Sequence, residues 1–164
     1  YQIEDVIRAY QFDVDAIIER YVEPQMPDSS FINQYRSWYK DLVNQMKMQK
    51  IEKAGHLVST QEILLELSYL HNTLLNMTKD EKYVGVFEIA NKYLEEFKGK
   101  SNLKDKNSIE LAFHAMYMKL LLKLQGKEIS AETEEAFDAM RMMLAYLSKS
   151  YHRMKSGDLD FLNN

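Results

Sequence analysis

The chain has 164 residues, with 21 Lys and Arg against 25 Asp and Glu, which gives a formal net charge of −4. This balance disfavours non-specific binding to nucleic acid, since neutralising phosphates needs a surplus of cations. Cysteine is absent, which excludes a disulfide framework, a thiol nucleophile and a thiolate zinc site.

The beginning of the chain reads as short, irregular helices. Residues 1–9 are typical of the end of a helix, and no capping residue precedes them. Because the chain also opens on Tyr1 rather than Met, we expect a truncated N-terminus. Asp13 is placed to cap a short helix that runs to about Tyr21.

Two prolines separate that short helix from a longer one. Pro24 and Pro27 end the first helix and favour an extended link, since proline lacks the amide that a helix needs. The spacing then predicts a helix over residues 31–53 that ends at Gly55. Its predicted apolar face consists of Phe31, Tyr35, Trp38, Leu42 and Met46.

The remaining two-thirds of the chain predicts four helices, each with a polar residue suited to capping its N-terminus. These start signals are Ser59 with Glu62, Thr78 with Glu81, Asn107 with Glu110, and Ser130. Glycines stand where left-handed caps would end three of the helices, at Gly99, Gly126 and Gly157.

Between these signals the apolar residues recur at alternating steps of three and four, the pattern of packed helical bundles. The helix over residues 109–124 is apolar around most of its circumference, which predicts the most buried helix. The fold class is therefore all-α, an antiparallel helical bundle with a four-helix core over residues 59–156 and additional N-terminal helices. We expect one domain over residues 1–164.

The histidines are the side chains best suited to titrate near neutral pH. Glu52–His56 and Glu110–His114 are each four residues apart, so either pair would share a helix face. A di-iron site in a bundle requires Glu-x-x-His on two helices, and the sequence contains no such motif. We therefore predict no metal, no cofactor and no catalytic residue.

A pocket between helices remains an alternative, with His71, His114 and Tyr117 as its polar lining. It would make the protein a small-ligand or metal-binding bundle. The competing interpretation is that each imidazole is hydrogen-bonded at the margin of the core, as buried polar groups usually are.

A second candidate site is a surface on the last helix, formed by Arg141, Met142, Met143 and Tyr146. Methionine and tyrosine are favoured at recognition surfaces, and the seam of this helix already contains Met140 and Leu144. The alternative is a wide core stripe that touches two neighbouring helices.

Four lysines lie within residues 40–53, close to Trp38 and Tyr39. Such a run can bind nucleic acid or an anionic membrane, but it is more often the solvated face of an amphipathic helix. Because the net charge opposes an anionic partner, and no apolar run approaches the ~18–20 residues of a membrane span, we predict neither nucleic acid nor membrane as a partner.

Three local motifs stand out in the first half of the chain, at residues 1–9 (Tyr-Gln-Ile-Glu-Asp-Val-Ile-Arg-Ala), residues 12–15 (Phe-Asp-Val-Asp) and residues 62–67 (Glu-Ile-Leu-Leu-Glu-Leu). They resemble those of an uncharacterised bacterial family of small all-helical proteins, classed as a domain of unknown function. The resemblance covers about the first 75 residues. It implies a helical, bacterial, cytoplasmic protein and no activity or site residue.

Taken together, the sequence favours a non-enzymatic helical module that interacts with a protein partner or with itself as a homo-oligomer. This interpretation depends on the Tyr- and Met-rich composition, with 11 Tyr and 10 Met, and on the absence of a catalytic motif.

Overall fold

The computed structural model describes residues 1–158, and over that range the chain is all-α without a β-strand. The α-helices of this range are α1 Gln2–Ala9, α2 Val14–Ile17, α3 Ile32–Met48, α4 Val58–Asn72, α5 Glu81–Lys100, α6 Ser108–Leu124 and α7 Ala131–Lys155. One π-helical turn follows α2 and another follows α4, at Ile18–Val22 and Thr73–Met77. Within residues 1–158, no helix is both long and apolar enough to cross a lipid bilayer.

The chain divides into two compact units, residues 1–62 and residues 63 onward. Unit 1 contains α1 to α3, and unit 2 contains α5 to α7 with most of α4. Two compact units occur both in single cooperative domains and in pairs of domains, so the expectation of one domain over residues 1–164 stays a prediction.

The core of unit 1 forms where α1, α2 and α3 pack together. As predicted, Asp13 caps α2, accepting a hydrogen bond from the Ala16 amide at 3.0 Å. The buried apolar residues of this unit are Ile7, Ile17, Ile18, Val22, Tyr39, Val43, Met46 and Leu57. The predicted apolar face of α3 is therefore wrong in its first half, because Phe31, Tyr35 and Trp38 remain exposed.

Helix α3 also ends earlier than predicted, at Met48 rather than Lys53. Lys50 adopts a positive φ of 56°, a left-handed conformation that interrupts the helix. Two charged residues on α1 then hold the connection to α4. Glu4 accepts hydrogen bonds from the Leu57 amide and His56 Nδ1 at 2.8 and 2.6 Å, and Arg8 donates to the Ile51 carbonyl at 3.1 Å.

The core of unit 2 lies between α5, α6, α7 and the end of α4. Asp80, which precedes α5, bonds Tyr146 of α7, whereas Tyr93 further along α5 bonds Glu135 near the start of α7. Helices α5 and α7 therefore run antiparallel, as the predicted bundle requires. The buried apolar residues of this core are Leu67, Leu70, Leu74, Tyr83, Ala90, Leu94, Ile109, Leu111, Ala112, Ala115, Phe137, Ala139, Met140, Met143 and Leu147.

Two of the four predicted N-caps are confirmed. Asn107 and Glu110 form a capping box at the start of α6, and Ser130 accepts a hydrogen bond from the Thr133 amide at the start of α7. The caps predicted at Ser59 and Thr78 are wrong. Helix α4 already begins at Val58, and Asp80 caps α5 by accepting a hydrogen bond from the Tyr83 amide at 2.9 Å.

Of the three glycines predicted to end helices, two do so. Gly126 follows α6 and Gly157 follows α7, with φ of +65° and +78°, the left-handed conformation that glycine adopts without steric cost. Gly99 lies inside α5, so that prediction is wrong.

Candidate functional site

The predicted ligand residue His71 is part of the core of unit 2. Its side chain is buried on α4, with Nδ1 2.6 Å from the Tyr83 hydroxyl of α5 and the ring centroid 4.7 Å from that of Phe87. Burial lowers the pKa of His71 to about 4. The imidazole is therefore neutral at pH 7 and is hydrogen-bonded, which is the arrangement that a buried polar group requires.

Tyr83 also contacts α7, through the ring of Tyr146. The Tyr83 ring lies 5.5 Å from that of Tyr146, whose hydroxyl donates to Asp80 at 2.8 and 2.9 Å. Because Asp80 also caps α5, one carboxylate connects the start of α5 with α7. Burial, followed by the hydrogen bond to Asp80, raises the pKa of Tyr146. These contacts connect α5 with α7 inside unit 2.

His114 and Tyr117, the other predicted pocket residues, are half-buried on α6. His114 lies one turn after Glu110 and contributes to the low pKa of that carboxyl group. Burial raises the pKa of Glu110, but hydrogen bonds from Lys106 and the Asn107 amide and the charges of Lys106 and His114 outweigh it. Within residues 1–158, no three His, Asp or Glu side chains are grouped to hold a metal ion. The pocket of His71, His114 and Tyr117 stays a prediction.

The surface predicted on α7 is not continuous. Met142 is 55 % exposed and Arg141 is exposed beside Asp138, at 3.1 Å, whereas Met143 is 0 % exposed and belongs to the core. Tyr146 is half-buried, and its hydroxyl donates a hydrogen bond to Asp80. Met143 must therefore be removed from the predicted surface, because the helical repeat turns it toward α5 and α6, about 100° away from Met142.

Helix α6 is, as expected from the sequence, the least exposed of the long helices α3 to α7, with four exposed residues among its 17. Its buried residues all lie in its first half, whereas the second half contains half-buried and exposed residues. Three apolar side chains there are exposed, namely Met118, Leu120 and Leu124, and three more are half-buried, namely Tyr117, Leu121 and Leu122.

Tyr117, Leu121 and Leu124 follow the four-then-three spacing that places residues on one side of a helix. We call these three residues, with Met118 and Leu120 on their flanks, the α6 outer face. The sequence could not reveal it, because a helix that is apolar all round gives no signal as to which side its neighbours cover.

A further arrangement that the sequence missed is the Glu4–His56 pair of unit 1. The sequence suggested that His56 pairs with Glu52, but Glu52 lies in the loop after α3, not on a helix. Burial raises the pKa of Glu4, but the hydrogen bonds from His56 and Leu57 and the nearby positive charges outweigh it and hold the pKa below 4.5. Glu4 and His56 are 52 residues apart, so no local spacing could indicate the pair.

The comparison with protein families gives one match, to a family described as a domain of unknown function, DUF4924, over residues 1–158. The chain therefore belongs to this family, which confirms the resemblance stated from the sequence. Comparisons with curated proteins and with solved structures give no match.

Proposed function

We propose that this member of the DUF4924 family is a non-enzymatic helical module that self-associates through the α6 outer face. The proposal places it in the bacterial cytoplasm, with a protein partner and without a nucleic-acid or membrane partner, in keeping with the net charge of −4.

The observation that carries the proposal is an apolar helix whose second half exposes several apolar side chains. A helix that is hydrophobic around its circumference is stable in water only when all its sides are covered. Helix α6 is of this kind, yet Leu124 is 64 % exposed and Met118 and Leu120 are exposed beside it. A contiguous exposed apolar patch favours a protein–protein contact.

A second copy of the chain is the occupant that fits this face best. The five residues of the outer face carry no ionisable group other than the tyrosine hydroxyl, and of the two lysines between Tyr117 and Leu124, Lys119 pairs with Glu134 while Lys123 is exposed at the flank. Two such faces can therefore meet about a two-fold axis with Lys123 at the rim, since each residue then meets the same kind of surface on its partner. The charged residues Glu110 and Lys127 lie toward the two ends.

The experiment is light scattering coupled to size-exclusion chromatography, over a concentration series of the full chain. We expect a weight-average mass that rises with concentration toward twice the 19.4 kDa of one chain. Leu124→Lys should hold the protein as a monomer, because each association would then desolvate two ammonium groups. Lys at the C-terminal end of a helix also suits the helix dipole, so this variant should fold.

Leu65→Lys is the matched control. Leu65 is a leucine on α4 with a similar exposure of 72 %, and the same substitution there should leave association unchanged. A wild-type protein that stays monomeric at every concentration would overturn the proposal. So would equal loss of association in both variants, since the effect would then come from net charge rather than from the α6 outer face.

A further inference from the structure

Unit 1 carries an open groove that the core does not use. It has a volume of about 670 Å³ and lies between the start of α3 and the loop before it, within the usual size of ligand sites. We call it the aromatic groove. Its lining residues are Gln25, Met26, Pro27, Phe31, Gln34, Tyr35 and Trp38.

Three aromatic rings give the groove its character. Tyr35 and Trp38 lie on one side of α3, Phe31 lies in the turn directly before it, and each of the three is between 41 and 52 % exposed. The core of unit 1 instead uses Tyr39, whose ring packs edge-on against Trp38 at 5.0 Å. Tyr39 therefore contacts the Trp38 indole from the core side, while Phe31, Tyr35 and Trp38 line the groove and are partly exposed to solvent.

The surroundings of the groove are acidic. The lining residues are uncharged, and the charged residues within residues 23–38 are Glu23, Asp28 and Arg36. Glu23 and Asp28 flank the lining segment 25–27, and both are exposed. The basic residue nearest to the rings, Arg36, forms an ion pair with Asp15. Lys40 is two residues after Trp38 and therefore about 200° away around the helix.

This combination selects a cation that also has a flat surface. Aromatic faces attract cations, and a guanidinium stacks on rings and is more weakly hydrated than an ammonium. Gln25 donates its amide N–H to the Tyr21 carbonyl, which leaves its amide oxygen as an acceptor. We propose that the aromatic groove binds an arginine-containing segment of a basic protein partner. A groove of this volume accommodates several residues of such a segment.

The test uses the fluorescence of Trp38, the single tryptophan of the chain, in titrations of the full-length protein. The probe is a short Gly-Arg repeat peptide, compared with otherwise identical peptides that carry lysine or citrulline. We expect the arginine peptide to bind tightest. The citrulline peptide, which keeps the shape but loses the charge, should show no saturable binding. Added salt should weaken binding of the arginine peptide.

Tyr35→Ala should weaken binding of the arginine peptide by roughly 2- to 30-fold, the range of one cation–π contact. The matched control is Tyr69→Ala, which removes an exposed tyrosine from α4 in unit 2 and should leave the affinity unchanged. Equal affinity for the citrulline peptide, tighter binding of an uncharged proline-rich peptide or of single-stranded RNA, or no effect of Tyr35→Ala would each overturn the proposal.

Discussion

Replacing His71 by glutamine should change how the stability of the protein depends on pH. The pKa of His71 is about 4 in the folded state, against 6.5 for an unperturbed histidine. Between these values the unfolded chain binds a proton that the folded chain does not, so stability is greatest above pH 6.5 and falls as the pH decreases. The difference corresponds to about 3 kcal/mol by pH 4, a large part of the 5–15 kcal/mol of a typical domain.

The assay is urea unfolding followed by circular dichroism, from pH 7 to pH 4.5. The carboxyl groups of Glu4 and Glu110, whose pKa values are lowered in the folded state, contribute equally to the wild type and the variant toward the acid end of this window, so the difference between the two profiles reports on His71. His71→Gln should lose stability at pH 7, because the contact with Tyr83 is weakened, but its stability should fall less steeply with decreasing pH. His152→Gln, on the exposed side of α7, should keep the slope of the wild type. Parallel profiles for the wild type and His71→Gln would refute the assignment of His71 as a buried, neutral histidine.

Two further predictions test the packing and capping of unit 2. Met143→Ala should lower the free energy of unfolding by roughly 2–5 kcal/mol, since it removes a fully buried side chain. Met142→Ala, on the exposed side of α7, should change it by no more than about 0.5 kcal/mol. Similar losses for the two variants in urea titrations would contradict the assignment of Met143 to the core and Met142 to the surface. Asn107→Ala should lower the free energy of unfolding by about 0.5–2 kcal/mol, because it removes the N-cap of α6. Ser59→Ala should have almost no effect, because Ser59 lies inside α4 and does not cap it. Equal losses for the two variants would contradict these helix starts.

The sequence predicted the fold well where the relevant interaction is local. Asn107 and Ser130 cap α6 and α7 because a cap requires only a polar side chain a few residues from an amide. The helical spacing of apolar residues is also found in α5, where Tyr83, Ala90 and Leu94 are buried at steps of seven and four residues. Such patterns depend on helical geometry alone.

The candidate site was harder to predict, because exposure depends on which neighbours a helix has. The stripe Phe31, Tyr35 and Trp38 has the spacing of a core seam, yet the core of unit 1 uses Tyr39 and Val43 instead. The two stripes are about 100° apart on the helix, and both are apolar. Only the packing of α2 and the π-helical turn after it against α3 decides between them, and those contacts join residues distant in sequence.

The size of the α6 outer face determines what kind of self-association to expect. The face extends over the two turns from Tyr117 to Leu124, about 12 Å of helix, whereas stable dimers bury about 800 Å² on each partner. Association must also offset the loss of translational and rotational freedom, at least ~4 kcal/mol. The α6 outer face alone is therefore too small for an obligate dimer. The association we propose should be weak and reversible, with a mass that follows concentration instead of a fixed dimer. A dimer that persists on dilution would show that further surfaces of the chain contribute, and Leu124→Lys would then weaken it without dissociating it fully.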